Sequence, residues 1–196
     1  MSPVDRVAEH FHGLAALAGT VAERLSPQIV DVVERVQHAL TEQHKLMFCG
    51  NGASAADAQH LATQYVVRLR RNRQPMAAIA LTTDTSLLTA AANDLGFAYI
   101  FARQVQALGR RGDILFLHST LEKSQNLLYA AAAARECGVQ TVALLAAGGG
   151  PLADIVDVPV IVPTDNAVHA QEIHLAIGHI ICDLVEEQLI ASSKAP

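Results

Sequence analysis

Lys45-Leu46-Met47-Phe48-Cys49-Gly50-Asn51-Gly52-Ala53-Ser54-Ala55 is the stretch on which the fold turns. A short apolar run stops at Gly-Asn-Gly, and a helix-forming segment follows over 53–70. Apolar runs that do not alternate with polar residues read as parallel strands covered on both faces. The same unit recurs downstream. Further apolar runs lie at 77–81, 113–117, 141–145 and 157–162, and helix-forming stretches lie at 85–92, 98–108, 123–137 and 168–190. Strands alternating with helices predict an α/β protein, a three-layer α/β/α sandwich on a five-stranded parallel sheet. Such sheets bind ligands beyond the C-terminal ends of their strands. The informative loops are therefore 50–54, 81–86, 118–124 and 146–151.

Upstream, Leu14, Leu17, Val21 and Leu25 recur at helical spacing. After Ser26-Pro27 a second run puts Ile29, Val32, Val33, Val36 and Leu40 on one face. Proline favours the first turn of a helix, so the break predicts a helical hairpin over 1–44. The hairpin precedes a main domain at 45–196 and packs on it or on another subunit. The last helix is apolar over more than one face, as in a helix buried within a domain or between subunits.

The whole chain has 196 residues, 51% hydrophobic and 17% charged, enough for a substantial core and against global disorder. Its formal net charge of −5 argues against a nucleic-acid coating role. Cys49, Cys137 and Cys182 form no C-x-x-C pair, so neither a disulfide framework nor a cysteine zinc site is indicated. The opening residues lack the pattern of a secretory signal, and no apolar stretch is long enough to span a membrane. A cytoplasmic protein is the expectation.

Several constellations could carry chemistry. Gly50, Gly52 and Ala55 fit a loose G-x-G-x-x-A pattern, but the next strand ends at Thr82 without the acid that a dinucleotide ribose needs. No nucleotide cofactor is expected. The loop reads as a tight turn, or as a phosphate or sugar-phosphate site at a helix start. Ser119, Thr120 and Ser124 precede another helix and suit either a cap or a phosphate cradle. His60 and Gln64 share a helix face, as do Gln171 and His179 on the last helix, with His174 between them. They read as hydrogen-bonded helix residues or as metal ligands, though glutamine is a poor one. The run Arg68-Leu69-Arg70-Arg71-Asn72-Arg73 suits a solvated helix end, with one arginine free to reach a phosphate.

Taken together, these motifs resemble those of the sugar isomerase (SIS) domain family. Cys49-Gly50-Asn51-Gly52-Ala53-Ser54, Asp57-Ala58-Gln59-His60, Ala78-Ile79-Ala80-Leu81-Thr82-Thr83-Asp84, Ala92-Asn93-Asp94, Gly112-Asp113, Ser119-Thr120 and Gln171-Glu172-Ile173-His174 occur in the family's order. The most similar branch holds the phosphoheptose isomerases and the replication-initiator-associating protein DiaA. The resemblance implies a homotetramer with sites between subunits, acting on a sugar phosphate such as sedoheptulose 7-phosphate. It implies zinc on His60, Gln64, Gln171 and His179, with position 64 the catalytic base and His179 the acid. The phosphate falls to the Ser119–Ser124 loop, through Ser119, Thr120 and Ser124. Other substrate contacts fall to Asn51, Ser54, Arg68 and Asp94, beside Gln171.

The sequence departs from that pattern within one pocket. The family glutamate is Gln64, and an amide accepts no proton at neutral pH. The change also removes the only anionic zinc ligand, which weakens the metal site. The family's Ser-Gly-Asn loop centre is Leu121-Glu122-Lys123, and an Asp-Arg pair before the last helix is Val168-His169. Three readings stay open: an aldose–ketose isomerase with another base (His60, His169, His174 or a residue from another subunit), a non-catalytic DiaA-like adaptor for a replication initiator, and an inactive partner subunit of an active isomerase.

Overall fold

A computed structural model describes residues 1–121 and 123–193. Strands β1 (Leu46–Gly50), β2 (Ala78–Ala80), β3 (Ile114–His118), β4 (Gln140–Leu145) and β5 (Val158–Ile161) form one parallel sheet in the order β2-β1-β3-β4-β5. Helices α1 (Pro3–Thr41), α2 (Ala53–Val66), α3 (Thr85–Asp94), α4 (Ile100–Leu108), α5 (Gln125–Cys137), α6 (Gly150–Ala153) and α7 (Ala167–Ser193) cover its two faces. The expected three-layer sandwich is the one observed. The short α6 is an addition.

Alternation along the strands sorts the core into two halves. Leu46, Phe48, Ile114, Phe116, Val142 and Leu144 point to the layer of α1, α2 and α7. Met47, Cys49, Leu115, Leu117, Ala143 and Leu145 point to the layer of α4 and α5. Both sets are buried, which is why the runs carry no polar alternation. None of the described helices is long and apolar enough to cross a membrane.

The expected N-terminal hairpin is instead one continuous helix, with Pro27 inside α1. Pro27 has no N–H, so the Glu23 carbonyl loses its helical donor. Glu23, Ser26 and Pro27 are all exposed, so water can satisfy that carbonyl. The Ser26 hydroxyl donates to the Ala22 carbonyl at 2.6 Å, one turn back. Val21, Ile29, Val32 and Val36 meanwhile join one core on either side of the proline. Packing against α7 outweighs a local penalty of about 3 kcal/mol.

Helix α2 ends at Val66, short of the expected residue 70. The amides of Leu69, Arg70 and Arg71 turn away to donate to the Glu186 carboxylate of α7 at 2.8, 3.1 and 3.1 Å. Arg73 Nε adds a fourth bond at 3.0 Å, and Glu186 is fully buried. Burial alone would push this carboxyl up; the three amides and the Arg73 guanidinium reverse that and hold it below the usual 4.5. Arg71 pairs with Asp183 at 2.5 Å. Much of the basic run is therefore neutralised by α7, while Arg68 stays exposed.

Candidate functional site

The chain runs from β1 outward to β2, then crosses back to β3 on the other side of β1. The crevice where the order reverses lies between the C-terminal ends of β1 and β3. Two loops meet there, 50–54 and 118–124.

The first loop is held close to α2. Gly52 has φ +56° and ψ −121°, a conformation that glycine tolerates. A side chain at Gly50 would come within 2.8 Å of the Ser54 carbonyl oxygen. Glycine at both positions lets the first turn of α2 sit on the strand end, with Ser54 buried beneath. Asn51 and Asn126 exchange amide bonds at 2.9 and 2.8 Å, tying this loop to the first turn of α5. Asn51, expected as a substrate contact, is thus engaged with Asn126, a partner that no spacing in the sequence signals.

The second loop keeps an open helix start. Ser119 is buried, and its hydroxyl donates to the Leu121 carbonyl at 2.7 Å, closing a tight turn. Ser124 precedes α5 with extended backbone and makes no side-chain cap. Thr120 is half-buried, and Lys123 is exposed. The 13-residue α5 thus presents an amide end that no side chain caps, with Ser124 just before it, an arrangement that suits an anion. Glu122 lies outside the described residues.

Beside the crevice, α2 and α7 bring their polar faces together. Asp57, His60 and Gln64 recur on one face of α2. His60 Nε2 lies 2.8 Å from His179 Nε2 and 3.0 Å from Gln64 Nε2. Gln171 donates to Asp57 Oδ1 at 3.3 Å. The four residues expected to converge, His60, Gln64, Gln171 and His179, do lie on facing sides of these helices. Burial depresses the His179 imidazole below its usual value, and the neighbouring His60 and Arg70 add to that.

Asp57 received no role from the sequence, although its spacing to His60 and Gln64 is that of one helix face. It is buried, and its Oδ2 has no hydrogen-bond partner. Burial raises its pKa against the opposing effects of Gln171 and His60. His118, read as the start of a polar turn, is the buried last residue of β3. Neither ring nitrogen has a partner, and burial with nearby His174 pushes its pKa down to about 3. His174 bonds the Leu145 carbonyl at 3.0 Å and is buried, so it is no open base. Asp94, at the end of α3, is exposed and accepts from Asn93 at 2.9 Å, with no bond to the α2–α7 group among the described residues.

These donors fall short of a tightly held zinc ion. His60 and His179 supply imidazole nitrogen, but Gln64 and Gln171 supply only amides. Among the described residues, no carboxylate completes a group of three with these two imidazoles.

The SIS domain model matches residues 9–146. The chain belongs to the SIS domain family. The phosphoheptose isomerase of Geotalea daltonii is 44% identical over 97% of this chain and 100% of its own. That of Roseiflexus sp. is 48% identical over 85% of each chain. The solved phosphoheptose isomerase of Francisella tularensis superposes with a TM-score of 0.92 at 34% identity, covering 95% of this chain and all of that one. The enzyme from Neisseria gonorrhoeae gives 0.90 at 38% identity, with the same coverage. These relatives put the chain in the phosphoheptose isomerase branch of sugar phosphate isomerases.

Proposed function

We propose that this SIS protein binds a sugar phosphate such as sedoheptulose 7-phosphate in the β1/β3 crevice, and that its aldose–ketose isomerisation is held back at position 64. The observation that carries this is Gln64 beside His60, facing His179, where α2 and α7 meet. The phosphate lies at the start of α5 with Ser124 and Thr120, and Arg68 adds a positive charge. Isomerisation needs a base to move a proton between adjacent carbons, and an amide does not serve. His179 is left as the acid. Zinc, if held on His60, Gln64, Gln171 and His179, is held weakly.

The same amide supports a second reading, a non-catalytic adaptor for a replication initiator or a partner subunit that completes an active isomerase. Val4, Val7 and Phe11 of α1 are exposed and support a subunit contact, with a homotetramer the expected assembly.

Calorimetric titration tests the binding claim. Sedoheptulose 7-phosphate binds, sedoheptulose without phosphate binds at least about tenfold more weakly, and Ser124→Glu abolishes binding by repelling the phosphate. No binding of the phosphorylated sugar by the unmodified chain would favour the adaptor reading.

A further inference from the structure

Away from the α2–α7 group, His10, His169 and Glu172 bring α1 and α7 together. His10 Nε2 lies 3.1 Å from Glu172 Oε1, and His10 Nδ1 lies 3.2 Å from His169 Nε2. Among the described residues, this is the one group of three such side chains whose donor atoms all fall within 4.8 Å of one another. His169 and Glu172 are three apart on α7, so both face the same way. Gly13, one turn along α1 from His10, lets the His169 ring lie against the helix. A Cβ there would come within 3.0 Å of His169 Cε1.

Hydrogen bonding within the group leaves it incomplete. Glu172 Oε2 is buried with no partner, and among the described residues no lysine or arginine pairs with this carboxylate. Two imidazoles and one carboxylate form a donor set that suits a divalent ion of the zinc class, with water in the remaining position. This set contains the anionic ligand that the α2–α7 group lacks. We propose that His10, His169 and Glu172 form a divalent metal site that staples the start of α1 to the start of α7.

The test uses the full chain carrying His60→Ala and His179→Ala, which removes the other pair of imidazoles. Zinc is titrated by calorimetry, and bound metal is counted by elemental analysis. The expected result is one zinc per chain and a zinc-dependent rise in the melting midpoint. Adding His10→Ala or Glu172→Gln weakens binding at least about tenfold and abolishes the rise. His12→Ala, at an exposed position two residues along α1, changes neither. Melting in EDTA checks that each variant is folded, and His169→Ala replaces His10→Ala if the latter is not. No zinc on the doubly substituted chain, or binding untouched by His10→Ala and Glu172→Gln, would overturn the proposal and leave a hydrogen-bonded group only.

Discussion

The two ends of α7 treat buried polar groups in opposite ways. Near its C-terminal end, Glu186 is fully buried and takes three backbone amides and a guanidinium. Near its N-terminal end, groups on α7 and on the facing α2 are left open: Glu172 Oε2, His174 Nδ1 and Asp57 Oδ2 are buried without partners. Satisfied buried charges fix a structure, whereas unsatisfied ones lower stability and are kept where a ligand completes them. One end of the helix therefore anchors the loop after α2, and the other holds buried polar atoms that a ligand could complete.

The largest effect is expected at the anchored end. Glu186→Gln leaves Arg73 buried without its carboxylate and costs about 3–5 kcal/mol, read by denaturant unfolding at pH 7. Because the folded pKa of Glu186 lies below 4.5, its contribution is present above that value and is lost as pH falls through the folded pKa. In Glu186→Gln, the acid limb of the stability profile flattens. A loss under about 1 kcal/mol would mean that the anchor is not what ends α2.

His118 gives the next effect. Its folded pKa is depressed to about 3, so the unfolded chain binds the extra proton between pH 6.5 and 3. Stability falls as pH drops through that window. His118→Leu removes this part of the slope, measurable by urea unfolding at pH 7 and pH 5.

The smallest effect has the opposite sign. Asp57 has a raised pKa, so its ionised form costs stability at neutral pH. Asp57→Asn gains up to about 1 kcal/mol in thermal unfolding at pH 7. A loss of stability instead would show that Asp57 is satisfied, and the contrast between the two ends would fail.

The layers of the fold were legible because each strand is a short apolar run closed by glycine or a polar turn. The continuity of α1 is hidden because Pro27, inside it, carries the local signature of a boundary, and only packing on both sides of it shows a continuous helix. The candidate site was legible where periodicity acts, at His60 and Gln64 and at Gln171 and His179. It was illegible where partners are distant in sequence. Asn51 with Asn126, Glu186 with the amides of residues 69–71, and His10 with His169 are each joined only by the fold. The end of α2 depends on one of these pairings, so no window around residue 66 contained its cause.

Position 64 is the central claim, and turnover of sedoheptulose 7-phosphate with added zinc tests it most directly. The unmodified chain is compared with Gln64→Glu, which returns a carboxylate base beside His60 and His179. The account predicts that Gln64→Glu turns over at least about a hundredfold faster, with similar affinity for the sugar phosphate. Turnover by the unmodified chain equal to that of the variant would contradict it, because the proton would then be moving through another residue.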